Sequence, residues 1–360
     1  MSNARQLAAN LVPNLDYSKI PTDGIFTGRN VIVNGEMMVD QRNNGAHIIP
    51  TSLYYQLTLD RWAAGVSQAS KVRFERGGGS VTPPPGFKTY LAMTQEGSTY
   101  TPTASDTFAV DQYIEGHDVA KFDFGKSTAK NLKLSFWVRS NVTGTYGIYI
   151  VNKDTNRIFV NSYTINAADT WEHKIVDIIG DTTGTWLTNN DTGMRVGWFL
   201  SAGADRMTTA NAWNAAQDYA VTGQVNVLGT SGGYLYLTGC QLEAEQATTF
   251  EHVPFNVTFQ KCCRYFYKSS TYSLALANAS STGYSFRQER TQQHTFPVIP
   301  RTWPSAPTVS LNVSIVSLSS GGVIAATGTD HVTVMSDAYG PDLPTNNYWY
   351  GGYSMSAELS

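Results

Sequence analysis

The chain has 360 residues, of which 41% are apolar, 12% aromatic and only 15% charged, with 25 basic against 28 acidic side chains. That charged fraction is well under the roughly 25% of ordinary globular proteins, and a chain so rich in aromatics is not disordered. Balanced, scattered charge excludes the basic clusters of a nucleic-acid binder, and a sequence dominated by Thr, Asn, Gly and Tyr is not a coiled coil; a β protein remains.

Residues 1–29 stand apart. RQLAANL places Leu7 and Leu11 four residues apart on one face, enough for a short helix, with Arg5 beside them. Pro13, Pro21, Gly24 and Gly28 then remove all periodicity, so an extended docking arm is expected. MSNARQLAANLVPN has no apolar h-region, so no secretory signal is expected. No apolar run approaches the ~18–20 residues that would cross a bilayer.

From Arg29 onward strand patterns recur: NVIVNGEMMV, KVRFERG, KTYLAMTQE, KLSFWVRS, TYGIYIVN, IFVNSYTI, WEHKIVDI, MRVGWFLSAG, GQVNVLG and GYLYLTGCQLE. KVRFERG alternates, with Val72 and Phe74 on one face and Arg73 and Glu75 on the other. Turn clusters such as TPPPG, NVTG, NKDTN and GDTTG separate the strands. With no long helical pattern between them, this succession predicts an antiparallel sandwich over 30–254. NAWNAAQDY, residues 211–219, reads as a short turn or 3₁₀ piece. In FNVTFQKCCRYFYK, Phe255, Phe259, Cys262, Cys263 and Phe266 make a helical stripe, predicting a connecting helix over 255–267. Strand patterns resume beyond it, so residues 268–360 are expected to form a smaller C-terminal β domain. No repeat of fixed period exists, which excludes a β-helix or propeller.

The chemistry-bearing residues are sparse. Cys240, Cys262 and Cys263 are odd in number, two of them adjacent, and lack zinc spacing; they read as buried free thiols. The six histidines form no H-x-H or H-x-x-x-H pair, and neither a nucleophile elbow nor a phosphate loop is present. No metal site is expected. Asp330-His331 reads as a strand end. Asp106, Asp111, Glu115 and Asp118 cluster in SDTFAVDQYIEGHDVAKFDFG, and either structural strand-end roles or a glycosidase-type carboxylate pair fits them. The turns at 180–184 and 189–193 carry oxygen ligands but match no calcium-loop signature.

The aromatics are more informative, because the apolar C–H face of a sugar stacks on Trp or Tyr while amides and carboxylates take its hydroxyls. Trp62, Trp137 and Trp198 sit inside strand patterns and read as core. Trp186 and Trp213 fall in Gly/Asn/Thr-rich loops. In PTNNYWYGGY, Tyr348 and Tyr350 share one strand face and Trp349 takes the other, with Asn346 and Asn347 beside them. Tyr348, Trp349, Tyr350, Asn347, Trp186 and Trp213 are therefore the candidate glycan-binding residues, core packing being the alternative for each.

Three stretches together carry a resemblance. RNVIVNGEMMVDQR with TLDRW, then KLSFWVRSNVTGTYGIYIVN and TINAADTWEHKIVDIIGDTTGTW, then GGYLYLTGCQLEAEQATTFEHVPF with KCCRYFYKS are similar to carbohydrate-binding-module-like domains of bacteriophage tail fibres. The resemblance covers about residues 29–270, and the final SMSAEL also resembles the ends of such fibre proteins. It implies a jelly-roll β-sandwich in a non-enzymatic virion protein, made in the host cytoplasm and working in the tail as a homotrimer. Residues 1–29, with Arg5, Leu7 and Leu11, would dock on tail or baseplate proteins, and the partner outside would be host-surface polysaccharide, without nucleic acid or membrane insertion. A purely architectural virion protein, or a polysaccharide depolymerase, are the alternatives. Related modules hold a structural calcium between first and last strands. Glu36 occupies the opening position, but Thr238 and Gly239 stand where an Asp is usual, so no cofactor is expected.

Overall fold

The computed structural model describes residues 28–51, 54–77, 79–153, 157–215, 218–269, 274–277, 288–302, 305–316, 323–338 and 348–359. For 274–277, 288–292, 311–316, 323–327, 332–338 and 348–352 the description is of the backbone. Arg5, Leu7 and Leu11 lie outside the described residues.

Strands β1 (Gln56–Leu57), β2 (Trp62–Val66), β3 (Val72–Gly77), β4 (Tyr90–Gln95) and β5 (Thr107–Glu115) open the fold. A one-turn helix, α1 (Gly116–Val119), leads to β6 (Leu132–Ser140), β7 (Gly144–Asn152), β8 (Ile158–Ile165), β9 (Glu172–Ile178) and β10 (Thr192–Ala202). Short β11 (Met207–Thr208), β12 (Ala212–Asn214) and β13 (Ala220–Val221) precede the long β14 (Tyr234–Ala244). Two sheets result, ordered β1-β2-β5-β10-β7-β8-β12 and β3-β4-β14-β6-β9, all neighbours antiparallel. The chain changes sheet after β2, β4, β5, β6, β8 and β9 and again before β14. This is a jelly-roll sandwich.

The two-residue period of each strand fills the space between the sheets. From one side β10 buries Met194, Val196, Trp198 and Leu200; from the other β6 buries Leu132, Leu134, Phe136 and Val138. Trp198 sits at the centre, 5.5 Å from Trp62 and 5.7 Å from Phe136, ring to ring. Trp62 and Trp198 are thus core, as their strand patterns require. Trp137 is not: with Phe136 and Val138 inward it must face out, and it lies half-buried against His173, 5.2 Å away. In β14 the inward set shifts from Leu235 and Leu237 to Cys240 and Leu242, through a bulge between Thr238 and Gln241. Gly239 stands there at φ +61, and Phe87 comes within 2.7 Å of where a Cβ would be.

Three local expectations are corrected. NVIVNGEMMV forms a turn rather than a strand, because Asn34 and Met37 adopt positive φ of 59° and 61° around the Asn34-Gly35 pair. It still runs beside β14, where the Cys240 N–H donates to the Gly35 carbonyl at 3.1 Å, and it buries Val31, Ile32, Met37 and Val39. GQVNVLG ends in a 3₁₀ turn, Val227–Gly229, and residues 212–214 form edge strand β12 rather than a turn.

Helix α2 (Phe255–Cys263) follows, ending earlier than the stripe implies because Phe266 already belongs to β15 (Phe266–Lys268). Cys262 and Cys263 are buried with Thr258, whereas Phe255 is 55% exposed and stacks on Phe259. All three thiols are free and buried, and burial pushes Cys263 up to about 12. Beyond lie β16 (Leu274–Ala277), β17 (Gln288–Thr295), β18 (Thr308–Val316), β19 (Val323–Thr327), β20 (His331–Ala338) and β21 (Tyr348–Ser356). β21 pairs with β15 and β16 on one edge and along its whole length with β18 on the other; β17, β20 and β19 form a separate three-stranded sheet.

Buried charge joins this region to the sandwich. Arg264 grips Glu115 with two hydrogen bonds of 2.9 and 2.6 Å, and the Tyr265 hydroxyl donates to the same carboxylate. Glu358, near the chain's end, accepts from Arg42 at 2.7 Å and from Arg61, whose guanidinium lies 3.6 Å over the Tyr265 ring. Arg61 and Glu358 are 3% and 7% exposed at their side chains. Removing one charge of such a pair strands the other in a medium that cannot solvate it. Glu358→Gln is expected to cost about 3–5 kcal/mol in urea unfolding, and the double variant Arg61→Met/Glu358→Leu less than the single one.

A candidate binding cleft on the seven-stranded sheet

The period that fills the core also decides what faces out. From β2, β5, β10 and β7 the outward residues in one transverse row are Ala63, Asp111, Gly197 and Tyr149, aligned by strand register. One row along stand Tyr113 and Arg195, with Gly65, Ala109 and Phe199 on the other side. Gly197 has no side chain, so the Tyr149 ring lies over it and its hydroxyl donates to the Asp111 carboxylate across the strand. A Cβ at Gly197 would sit 2.3 Å from Tyr149 Cζ and 2.4 Å from Asp111 Oδ1. Mid-strand glycine here marks a close approach of side chains.

The connection after β10 rises over this face. Tyr219 packs edge-on against Tyr149, ring centroids 5.6 Å apart, and Phe199 lies 5.2 Å from Tyr149 on the other side. Arg206, anchored by its Nε–H to the Ser105 carbonyl at 3.1 Å, and Tyr54, 60% exposed and held at φ +67, complete the rim. Together they enclose an open cavity of about 160 Å³. Its lining mixes the rings of Tyr54, Tyr149, Phe199 and Tyr219 with the polar side chains Asp111, Arg195, Arg206 and Thr107.

The electrostatics of the floor are unusual. Burial pushes the Asp111 carboxyl up to about 6, against the opposing pull of Arg195. The Arg195 guanidinium is surrounded by Tyr113, Tyr149 and Tyr219, with ring centroids 5.7, 5.4 and 5.4 Å away, and its own pKa is raised by neighbouring Asp111 despite burial. Its Nη1 donates to the Tyr113 hydroxyl at 3.3 Å, while its buried Nε has no hydrogen-bond partner.

The residues expected to bind glycan are distributed otherwise. Trp186 is 8% exposed, with Phe124 4.8 Å away edge-on and its indole N–H donated to Asp181 at 3.2 Å. Trp213 packs between Trp186 and Phe159 and donates to the Ile179 carbonyl. Trp186 is thus corrected to the core, and Trp213 is half-buried against it, its ring turned to Trp186 and Phe159 rather than to solvent. Tyr348, Trp349 and Tyr350 lie in β21, paired on both edges, and Asn347 lies outside the described residues. The candidate carboxylates separate. Asp106 accepts from Ser67, Tyr100 and Thr103 and is held low by those bonds; Glu115 is held low by Arg264 and Tyr265; Asp118 borders another cavity. Only Asp111 reaches the cleft. Asp181 in the first Asp-rich turn is taken by Arg157 with bonds of 2.8 and 2.7 Å, Asp191 in the second lies 3.8 Å from Lys153, and Glu36 lies 3.2 Å from His252. Among the described residues no three His, Cys, Asp or Glu side chains converge on one point.

Two other surfaces compete with the cleft. On the outer face of the five-stranded sheet Tyr234, Tyr236 and Tyr90 stack at 4.2 and 4.9 Å, with Trp171 edge-on to Tyr90 at 5.5 Å. Those rings cover one another's faces. A cavity of about 360 Å³ lies between residues 28–33, α1 and α2, but its Lys121 is bonded to the Gly28 and Arg29 carbonyls and its Glu115 to Arg264. Among the described residues the cleft combines concavity, aromatic rings and polar groups, the features of a small-ligand site.

Sequence reasoning missed Tyr149, Arg195 and Tyr219. The signal was present in the alternation: Gly65 and Gly197 interrupt strands at their centres, and Asp111 stands in the middle of an apolar run.

No protein-family model matches the chain, and no curated protein matches it in sequence. Among solved structures, the enzymatically active domain of tailspike protein 4 of bacteriophage CBA120 is similar at 12% identity and a TM-score of 0.33, over 60% of this chain and 22% of that one. The chain thus matches about a fifth of the tailspike's length. The module TmCBM61, solved with β-1,4-galactotriose, is similar at 11% identity and a TM-score of 0.31, over 60% of this chain and 99% of its own. A family 11 carbohydrate-binding module of Clostridium thermocellum, in complex with a mixed-linked tetrasaccharide, gives 12%, 0.28, 57% and 98%.

Because folding raises the Asp111 pKa from 3.8 to about 6, the folded state prefers the neutral acid. Its burial therefore costs nothing below about pH 4, and destabilises progressively as pH rises through 6. Asp111→Asn is expected to gain stability over the wild type at pH 7.5, by at most about 3 kcal/mol, and to lose that gain at pH 4. Urea midpoints at the two pH values measure it; a gap that ignores pH would mean the carboxylate is charged throughout.

Proposed function

We propose that the jelly roll is a glycan-binding module of a non-enzymatic phage tail-fibre protein, and that the cleft over β5, β10 and β7 is where host-surface polysaccharide contacts it. The observation that carries this reading is the junction of aromatic rings with charged groups in one concavity: Tyr219, Tyr149 and Phe199, with Arg195, Arg206 and Asp111 among them. Aromatic walls take the C–H face of a pyranose, and the charged groups take its hydroxyls. At about 160 Å³ the cavity is smaller than the ~300 Å³ and more of pockets that engulf a whole drug-sized ligand. It fits one ring of a longer chain.

Non-enzymatic action is supported by the lining, which holds one carboxylate where glycoside hydrolysis uses two. The fibre assignment rests on the resemblance carried by residues 29–270. Within it residues 1–29 dock on the tail or baseplate, and a homotrimer in the virion presents the sandwich.

On an array of bacterial surface glycans, the full chain is expected to be retained by at least one. Tyr219→Ala should weaken that retention at least about tenfold, with unchanged melting, while Trp171→Ala on the opposite sheet should not. Loss only in the Trp171 variant would move the site to the other face, and no retention on any glycan would leave a purely architectural protein. Docking is tested separately: a chain lacking residues 1–28 should melt as the full chain does yet be missing from purified virions by immunoblot. Its presence there would remove the docking role.

A further inference from the structure

We infer that the sugar taken by the cleft is acidic, a uronic acid whose carboxylate is gripped by the fork of Arg195. The inference rests on the glycan-binding reading and narrows it to a substrate class.

Arg195 carries five N–H donors in a planar fork. Among the described residues it spends one, on Tyr113 at 3.3 Å, and its Nε is buried with no partner. That Nε–H is sealed off, as it is in Arg29, Arg42, Arg61 and Arg73, so a ligand meets the Nη edge of Arg195, where among the described residues only Nη1 is bonded. The Arg61, Arg157 and Arg264 side chains, by contrast, are each paired with a carboxylate. Asp111 does not fill that role for Arg195: no ion-pair contact joins them, and the carboxylate is bound by the Tyr149 hydroxyl instead.

What would satisfy the fork is a planar group with two acceptor oxygens, approaching in the plane of the guanidinium. A carboxylate does so with two parallel charge-assisted bonds. Three tyrosine rings crowd the guanidinium, with centroids 5.4–5.7 Å from its carbon, which restricts its side-chain freedom before binding. Local charge agrees. The lining holds Arg195 and Arg206 against Asp111, one net positive charge, in a chain whose formal net charge is −3. A single anionic substituent on a ring stacked against Tyr219 neutralises it. A neutral hexose offers at that position a hydroxymethyl group with one acceptor oxygen, which does not match the two-pronged Nη edge.

The test uses alginate, polygalacturonate and hyaluronan, each beside its carboxyl-reduced counterpart, titrated calorimetrically into the full chain. Reduction keeps the linkage and replaces only the carboxylate by a hydroxymethyl group. At least one uronate polymer is expected to bind tenfold or more tighter than its reduced form, about 1.4 kcal/mol. Arg195→Gln should abolish that difference, while Arg73→Gln on the outer face of the opposite sheet should keep it. Equal binding of acidic and reduced polymers would overturn the inference and leave glycan binding standing. Retention of neutral glycans only, on the array, would do the same. No binding to any glycan would overturn both. Because the carboxyl-reduced comparison uses the wild-type chain, a variant that failed to fold would not blunt it.

Discussion

The two-residue period of β10 loads both faces of the seven-stranded sheet at once. Met194, Val196, Trp198 and Leu200 hold the two sheets together, so the residues between them have no choice but to face out. Arg195, Gly197 and Phe199 are those residues; Arg195 and Phe199 line the cleft, and Gly197 between them lies beneath the Tyr149 ring. A register slip of one residue would expose Trp198 and bury a guanidinium, a change the core cannot absorb. The packing that gives stability therefore also fixes the geometry of the cleft. Its precision comes from strands rather than loops, with only Tyr54, Arg206 and Tyr219 supplied from outside them.

The joint with the C-terminal region reaches the same place by another route. The Tyr113 carbonyl accepts from Arg61, which pairs with Glu358, while the Tyr113 hydroxyl accepts from Arg195 in the cleft. Tyr55 packs edge-on against Tyr113 at 5.3 Å and donates to the Leu359 carbonyl. One tyrosine thus links the segment near the chain's end to the free guanidinium. The buried charges of the joint are poor sources of net stability, since desolvation offsets much of their attraction. They do specify one arrangement of the last residues, and with it the position of the ring that orients Arg195.

Much of this was legible from alternation alone. KVRFERG became β3 with Val72 and Phe74 buried, and MRVGWFLSAG became β10 with Trp198 at the centre, because a strand with one buried face declares its parity. The failures have physical causes. The NVIVNGEMMV segment is apolar enough for a strand, yet Asn34-Gly35 turns it, and its apolar residues are buried from a turn instead. Trp186 and Trp213 sit in loop-like sequence, but a large ring pays for its burial wherever it can reach the core, and Asp181 and the Ile179 carbonyl accept their N–H groups. The cleft was the hardest to see. Tyr149 and Arg195 lie in strands, and only three-dimensional register sets them beside Asp111 around Gly197.

The low charge of the chain bears on how such a cleft would select a ligand. With 15% charged residues, of nearly balanced sign, the protein has little long-range field to draw in an acidic polymer. Under the proposed reading, recognition would come from short-range fit: aromatic rings against one pyranose, and one guanidinium crowded by three tyrosines. Short-range pairing discriminates by leaving the wrong ligand with an unmade bond at a buried donor, which costs more than a lost surface attraction. A weakly charged surface with one caged cation is therefore selective without being adhesive. In the proposed role, that division of labour would follow from where the charge has been kept rather than from how much there is.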